Sequence, residues 1–147
     1  MILTSPSFED QGTIPKKFTC DGGDINPELQ IQNVPPDARS LALILHDHDA
    51  PLPGGFTHWI AWNISPLAAF IKEESAPPGA LEGTNSAGKE GYIGPCPPSG
   101  AHRYEFRLYA LDVELPLAAA ADRSAFEAAI AGHVLEEASL TGIYARQ

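Results

Sequence analysis

Asp47, Asp49, His58 and His102 are the residues of this chain whose types and settings could do chemistry. Asp47 and Asp49 lie in the run His46-Asp47-His48-Asp49-Ala50-Pro51, just past an apolar segment, where the chain must leave its sheet. In extended geometry the two aspartates point to one face, with His46 and His48 on the other. Aspartates in this position also form turns, accepting from local backbone N–H groups. His58 opens a second apolar segment and His102 a third. Antiparallel neighbours can bring such strand ends together, which would set one carboxylate and two imidazoles around a small concavity. A carboxylate raises the pKa of imidazoles beside it by favouring their charged form. Protonated imidazoles donate hydrogen bonds and attract anions, and the backbone N–H groups of a glycine-rich loop add further donors. His and Asp also suit zinc, but no HxxxH helical pair is present and no Glu stands where a general base is needed. A serine hydrolase lacks its G-x-S-x-G elbow. Anion binding is the chemistry these residues fit best, and neither a metal nor a cofactor is expected.

The elements that must position these residues read mainly as β-strands. Ser40 to His46 is a nearly continuous apolar run, the pattern of a strand buried on both faces. His58 to Ile64 is rich in aromatic and β-branched residues. Tyr104 to Asp112 alternates, with Tyr104, Phe106 and Leu108 on one face and Glu105, Arg107 and Tyr109 on the other. Leu29 to Val34 is a short alternating piece before Pro35-Pro36, and Phe18-Thr19-Cys20 reads as another short strand before the turn Asp21-Gly22-Gly23-Asp24. Eleven of the 24 residues from Pro77 to Gly100 are Gly or Pro, which predicts a functional loop without secondary structure of its own. One helix is expected near Ser124, with Ser124 and Glu127 as a capping box and Gly132 as its end. The chain would then return as a strand through Leu140, Gly142 and Tyr144, with a second helix through Ala138 as the alternative.

A length of 147 residues and a mass of 15.7 kDa predict one domain over residues 1–147. With 13 Gly and 14 Pro the chain should be rich in turns and loops. The net charge of −10, with scattered basic residues, gives a nucleic-acid backbone nothing to bind and disfavours anionic membranes. No apolar run is long enough for a membrane span, and MILTSPSFEDQG lacks the features of a secretory leader. Cys20 and Cys96, far apart in sequence, do not indicate a disulfide framework and read as two reduced thiols of a cytoplasmic protein.

Taken together, DHDAP, HWIAWNI and GPCPPSGAHRYEFRLYALD resemble the phosphatidylethanolamine-binding protein family, and more narrowly its bacterial Raf-kinase-inhibitor-like branch. The resemblance runs from FTCDG to LTGIYAR and rests on three ordered motifs. It implies a mainly β fold, a central antiparallel sheet with a second small sheet and one or two short helices. It also implies one pocket for phosphate, phosphorylated headgroups or similar anions. By motif position the pocket residues are Asp47, His58, His102 and Tyr104, with Gly94 and Pro95 as a loop wall and Gly94 offering its N–H. Asp49 takes a structural role in the turn, and Arg103 points away from Tyr104. The family's D-P-D-A-P is D-H-D-A-P here, so His48 removes a fixed φ at the pocket mouth or adds a titratable group. Ile31 stands where bacterial members commonly have Trp.

The expected function is that of a non-enzymatic binding protein for a small anion, which could also regulate a protein partner. Two other readings remain open. One is a protease- or kinase-inhibitor-type interaction module acting through residues Pro77 to Gly91. The other is a hydrolase using His58 or His102, with Cys96 as the candidate nucleophile. The resemblance adds a homodimer as an expectation.

Overall fold

The computed structural model describes residues 1–146, and in it the apolar segments form two antiparallel sheets. A small sheet has the order β1-β2-β5, from Ile2–Thr4, Leu29–Gln32 and Phe70–Ile71. A larger sheet has the order β6-β4-β3-β7-β8, from Leu81–Glu82, Phe56–Ile64, Ser40–Asp47, Ala101–Leu111 and Val134–Ala145. Helix α1 spans Arg123–Ile130.

Alternation along the central strands divides the core in two. Leu41, Leu43 and Leu45 of β3 pack with Trp59, Phe106 and Leu108 on the side that also holds Leu29 and Ile71 of the small sheet. Ala42 and Ile44 pack with Ile60, Trp62, Phe126 and Ile130 on the side covered by α1. Each large apolar side chain buried in this way stabilises the fold by about 1.5–3 kcal/mol. Every residue of β3 is buried, as the apolar run Leu41 to Leu45 at its centre requires. Ile31 fills the first cluster from β2.

Several elements differ from the sequence-based reading. Lys16–Phe18 is a single 3-10 turn after Pro15, and the Thr19 hydroxyl donates to the Lys16 carbonyl at 2.8 Å, so this stretch turns instead of extending. The Gly/Pro-rich segment does contain a strand, because Leu81 and Glu82 pair with Trp62 and Ala61 on the open edge of β4. Helix α1 is capped by Asp122, whose carboxylate accepts from the Ala125 N–H at 2.9 Å. Glu127 is taken up by Arg123 one turn earlier, so the Ser124–Glu127 capping box does not form. Ala138 lies in β8, which settles the choice in favour of the returning strand.

The cysteines are not free thiols. Cys20 and Cys96 form a disulfide with their Cα atoms 5.5 Å apart. Three hydrogen bonds lay the loop before β7 against the Lys16–Asp24 turn. Tyr92 Oη donates to Phe18 O at 2.6 Å, Gly94 N–H to Asp24 Oδ1 at 2.7 Å and Cys20 N–H to Pro95 O at 3.1 Å. This approach joins segments remote in sequence, which is why spacing alone gives no sign of it. Among the described residues no helix is long and apolar enough to cross a membrane.

Candidate ligand-binding site

The ends of β3, β4 and β7 meet at one end of the larger sheet and open a cavity of about 300 Å³. Asp47, the last residue of β3, stands opposite Phe56 of β4 and Tyr104 of β7. His102 precedes Tyr104 by two residues and so shares its face. His58 reaches this face by a different device. Leu45 pairs with Trp59 and His46 with Thr57, which leaves His58 as the extra residue of a β-bulge. Such a bulge re-aims a side chain that strict alternation would send elsewhere.

Asp47, His58, Gly94, His102 and Tyr104 all line the cavity. Asp47 has two tasks. Its Oδ1 accepts the Asp49 N–H at 2.8 Å, forming the local turn, and its Oδ2 accepts His102 Nδ1–H at 2.7 Å. This bond orients the His102 ring and leaves Nε2 for the cavity. His58 donates Nδ1–H to the Ile93 carbonyl at 2.8 Å, so its Nε2 is likewise left over. Tyr104 stacks against His102 and meets the edge of His58, with ring centroids 6.2 and 5.3 Å away. Its hydroxyl is buried and has no hydrogen-bond partner among the described residues.

The electrostatics at His58 depart from the expectation. His58 does not have a raised pKa; burial pushes it below the ordinary imidazole value, and its hydrogen bond to Ile93 and the charge of Asp47 only partly oppose this. Burial, followed by the charge of Asp47, pushes the Tyr104 phenol well above its ordinary value, so it stays protonated and able to donate. None of the lining residues is Lys or Arg. Any positive charge offered to a ligand must therefore come from an imidazole.

Two loop residues play other parts than expected. The Gly94 N–H is already bonded to Asp24, so it is not offered to a ligand. A Cβ at Gly94 would run into the Phe18 carbonyl and the Asp24 carboxylate, which explains glycine there. Pro95 is buried behind the wall, where its carbonyl holds Cys20, and it does not line the cavity. The wall is built instead by Ile93, Cys96 and Pro98, with Ala50, Pro51, Leu52 and Phe56 opposite. Phe56 could have been read from the sequence, since it sits two residues before His58. The others are loop residues with no spacing signal.

The flanking charges are structural. Asp49 accepts the Arg103 backbone N–H and two guanidinium hydrogens at 2.8–3.0 Å, and this contact holds its carboxyl at about 2. His48 is exposed, pairs with Glu105 at 2.8 Å and lines a neighbouring groove, not the cavity. His46 faces the helix side, bonded to Thr57 and the Gly54 carbonyl. Among the described residues no cluster of three or more His, Cys, Asp or Glu is arranged to hold a metal ion.

Comparison with known proteins agrees with this architecture. The family model for phosphatidylethanolamine-binding proteins matches residues 4–145. A UPF0098 protein of Methanothermobacter thermautotrophicus is 47% identical over 151 residues, covering 99% of both chains. A UPF0098 protein of Chlamydia muridarum is 43% identical, covering 98% of both. Among solved structures, the phosphatidylethanolamine-binding protein homolog CT736 of Chlamydia trachomatis superposes with a TM-score of 0.95 at 39% identity, covering 99% of this chain and 97% of that one. YbcL of E. coli, described as a new member of the mammalian family, superposes with a TM-score of 0.92 at 26% identity, covering 99% and 98%.

Proposed function

The chain belongs to the phosphatidylethanolamine-binding protein family, and from that membership we propose that its cavity captures a small ligand with an anionic head, phosphate or a phosphorylated headgroup, and acts by binding rather than by catalysis. The observation that carries this reading is the Tyr104 hydroxyl, a buried donor with no partner among the described residues, beside two imidazoles whose Nδ1 atoms are already anchored. A buried hydroxyl without a partner costs free energy, and a ligand oxygen accepting from it removes that cost.

Imidazolium supplies the charge. His102 is oriented by Asp47, and His58 takes up a proton on Nε2 as the anion arrives, against the burial that keeps it neutral in the free protein. The apolar walls lower the local dielectric and strengthen these contacts. The hydrolase alternative is the weaker reading for the oxidised protein, where its candidate nucleophile Cys96 is held in the disulfide.

Calorimetric titration of phosphate and O-phosphoethanolamine into wild type and His102→Ala at pH 6 tests this reading. Saturable binding by wild type, weakened at least tenfold in the variant, is the expected result. No binding by wild type, or equal affinity in both proteins, would remove the anion reading.

A further inference from the structure

The Cys20–Cys96 bridge stands at the edge of the cavity. Both cysteines are exposed, and Cys96 itself lines the cavity together with Ile93, Gly94 and Pro98. The same short segment carries the Ile93 carbonyl that fixes the His58 ring. Across the bridge, the Lys16–Asp24 turn is tied to β8 by Asp21, which accepts from Tyr144 Oη at 2.7 Å and from Arg146. The disulfide therefore connects the wall that orients a ligand-facing histidine to the body of the larger sheet. The remaining ties between wall and turn are the three hydrogen bonds at Tyr92, Gly94 and Cys20. Exposed disulfides are the ones that exchange readily with thiols, in contrast to buried structural ones.

We propose that the Cys20–Cys96 bridge is a thiol-responsive latch: its reduction releases the Ile93–Pro98 wall while both sheets stay folded, and it weakens ligand capture. The last clause rests on the binding function proposed above; the release of the wall does not. The reductant is a small thiol or dithiol. Its thiolate attacks one sulfur of the bridge, forming a mixed disulfide and releasing the other cysteine as a thiolate. A second thiolate then attacks the mixed disulfide. Two electrons and two protons pass to the protein, which ends with two thiols, and the reductant leaves as its own disulfide. The state of the cavity would then report the thiol poise of its surroundings.

Hydrogen exchange and calorimetry on the oxidised protein, the dithiothreitol-reduced protein and the Cys20→Ser/Cys96→Ser double variant test the latch. On reduction, the Ile93, Gly94 and Cys20 amides should exchange at least tenfold faster, with β3 and β7 amides unchanged. The Kd for O-phosphoethanolamine should rise at least tenfold, and oxidised glutathione should restore both properties. The double variant should match the reduced protein at Ile93 and Gly94. Unchanged protection of the wall amides would overturn the latch. Loss of protection throughout β3 and β7 would also overturn it, since the bridge would then be a staple of the whole fold. A loosened wall with unchanged Kd would overturn its coupling to capture. If the oxidised protein binds no O-phosphoethanolamine, the ligand reading fails, and the wall amides alone decide whether the latch exists.

Discussion

Burying the Tyr104 hydroxyl without a partner costs about 1–3 kcal/mol, and Tyr104→Phe removes that cost while keeping the ring that packs against His58 and His102. The variant should be as stable as wild type or more stable by about 1 kcal/mol in urea denaturation, and should bind O-phosphoethanolamine about tenfold more weakly, the loss of one hydrogen bond to a charged group. A destabilised variant with unchanged affinity would mark the hydroxyl as structural. Gly94 makes the opposite case, because its role is space rather than donation. Gly94→Ala forces a methyl group against the Phe18 carbonyl and Asp24, and should cost about 1–3 kcal/mol in the same assay, as over-packing does. Stability equal to wild type would show that the wall can retreat without consequence. Sequence spacing supports a site holding Asp47, His58 and His102, because each sits at a strand end. It could not show that the Gly94 N–H is already taken by Asp24, since that contact joins residues 70 positions apart.

The strands that carry the site were readable because hydrophobic period is local: β3 has no exposed residue and β7 alternates cleanly over Tyr104–Tyr109. The bulge at His58 was not, since it is a property of the pairing between β3 and β4 and not of either sequence. Helix α1 lies where the sequence places it but is capped two residues earlier, at Asp122 instead of Ser124. Asp122 and Ser124 are both good capping residues, and the chain uses the one whose carboxylate reaches the Ala125 N–H. Asp122→Ala should therefore cost about 1 kcal/mol in urea denaturation, and Ser124→Ala only a few tenths. The reverse order would restore the Ser124 cap. At the mouth of the site, the Asp49–Arg103 contact ties the loop after β3 to the start of β7, leaving Asp47 free to hold His102.

The histidines shape the acid response of the whole molecule. Burial, with smaller opposing hydrogen bonds, places His46 and His58 below the ordinary imidazole range in the folded state. The unfolded chain then takes up protons first as the pH falls, so their stabilising effect is complete above about pH 6.5 and is lost as the pH drops through the folded values. The melting temperature should fall between pH 7 and pH 5.5, above the range where carboxylates titrate; a flat profile would contradict the buried, neutral state of both rings. The two sheets were within reach of the resemblance, but the disulfide was not, because it depends on where the Gly/Pro-rich loop lies in space. At the same scale, a chain of net charge −10 must offer an anion its positive charge from imidazole alone, since no Lys or Arg lines the cavity. Sulfate, whose charge does not change over this range, isolates that contribution. Its affinity for the wild-type protein, measured by calorimetry from pH 5.5 to pH 8.5, should fall at least tenfold, as the proton that His58 takes up with the anion becomes scarcer. An affinity constant across that range would contradict capture by imidazolium.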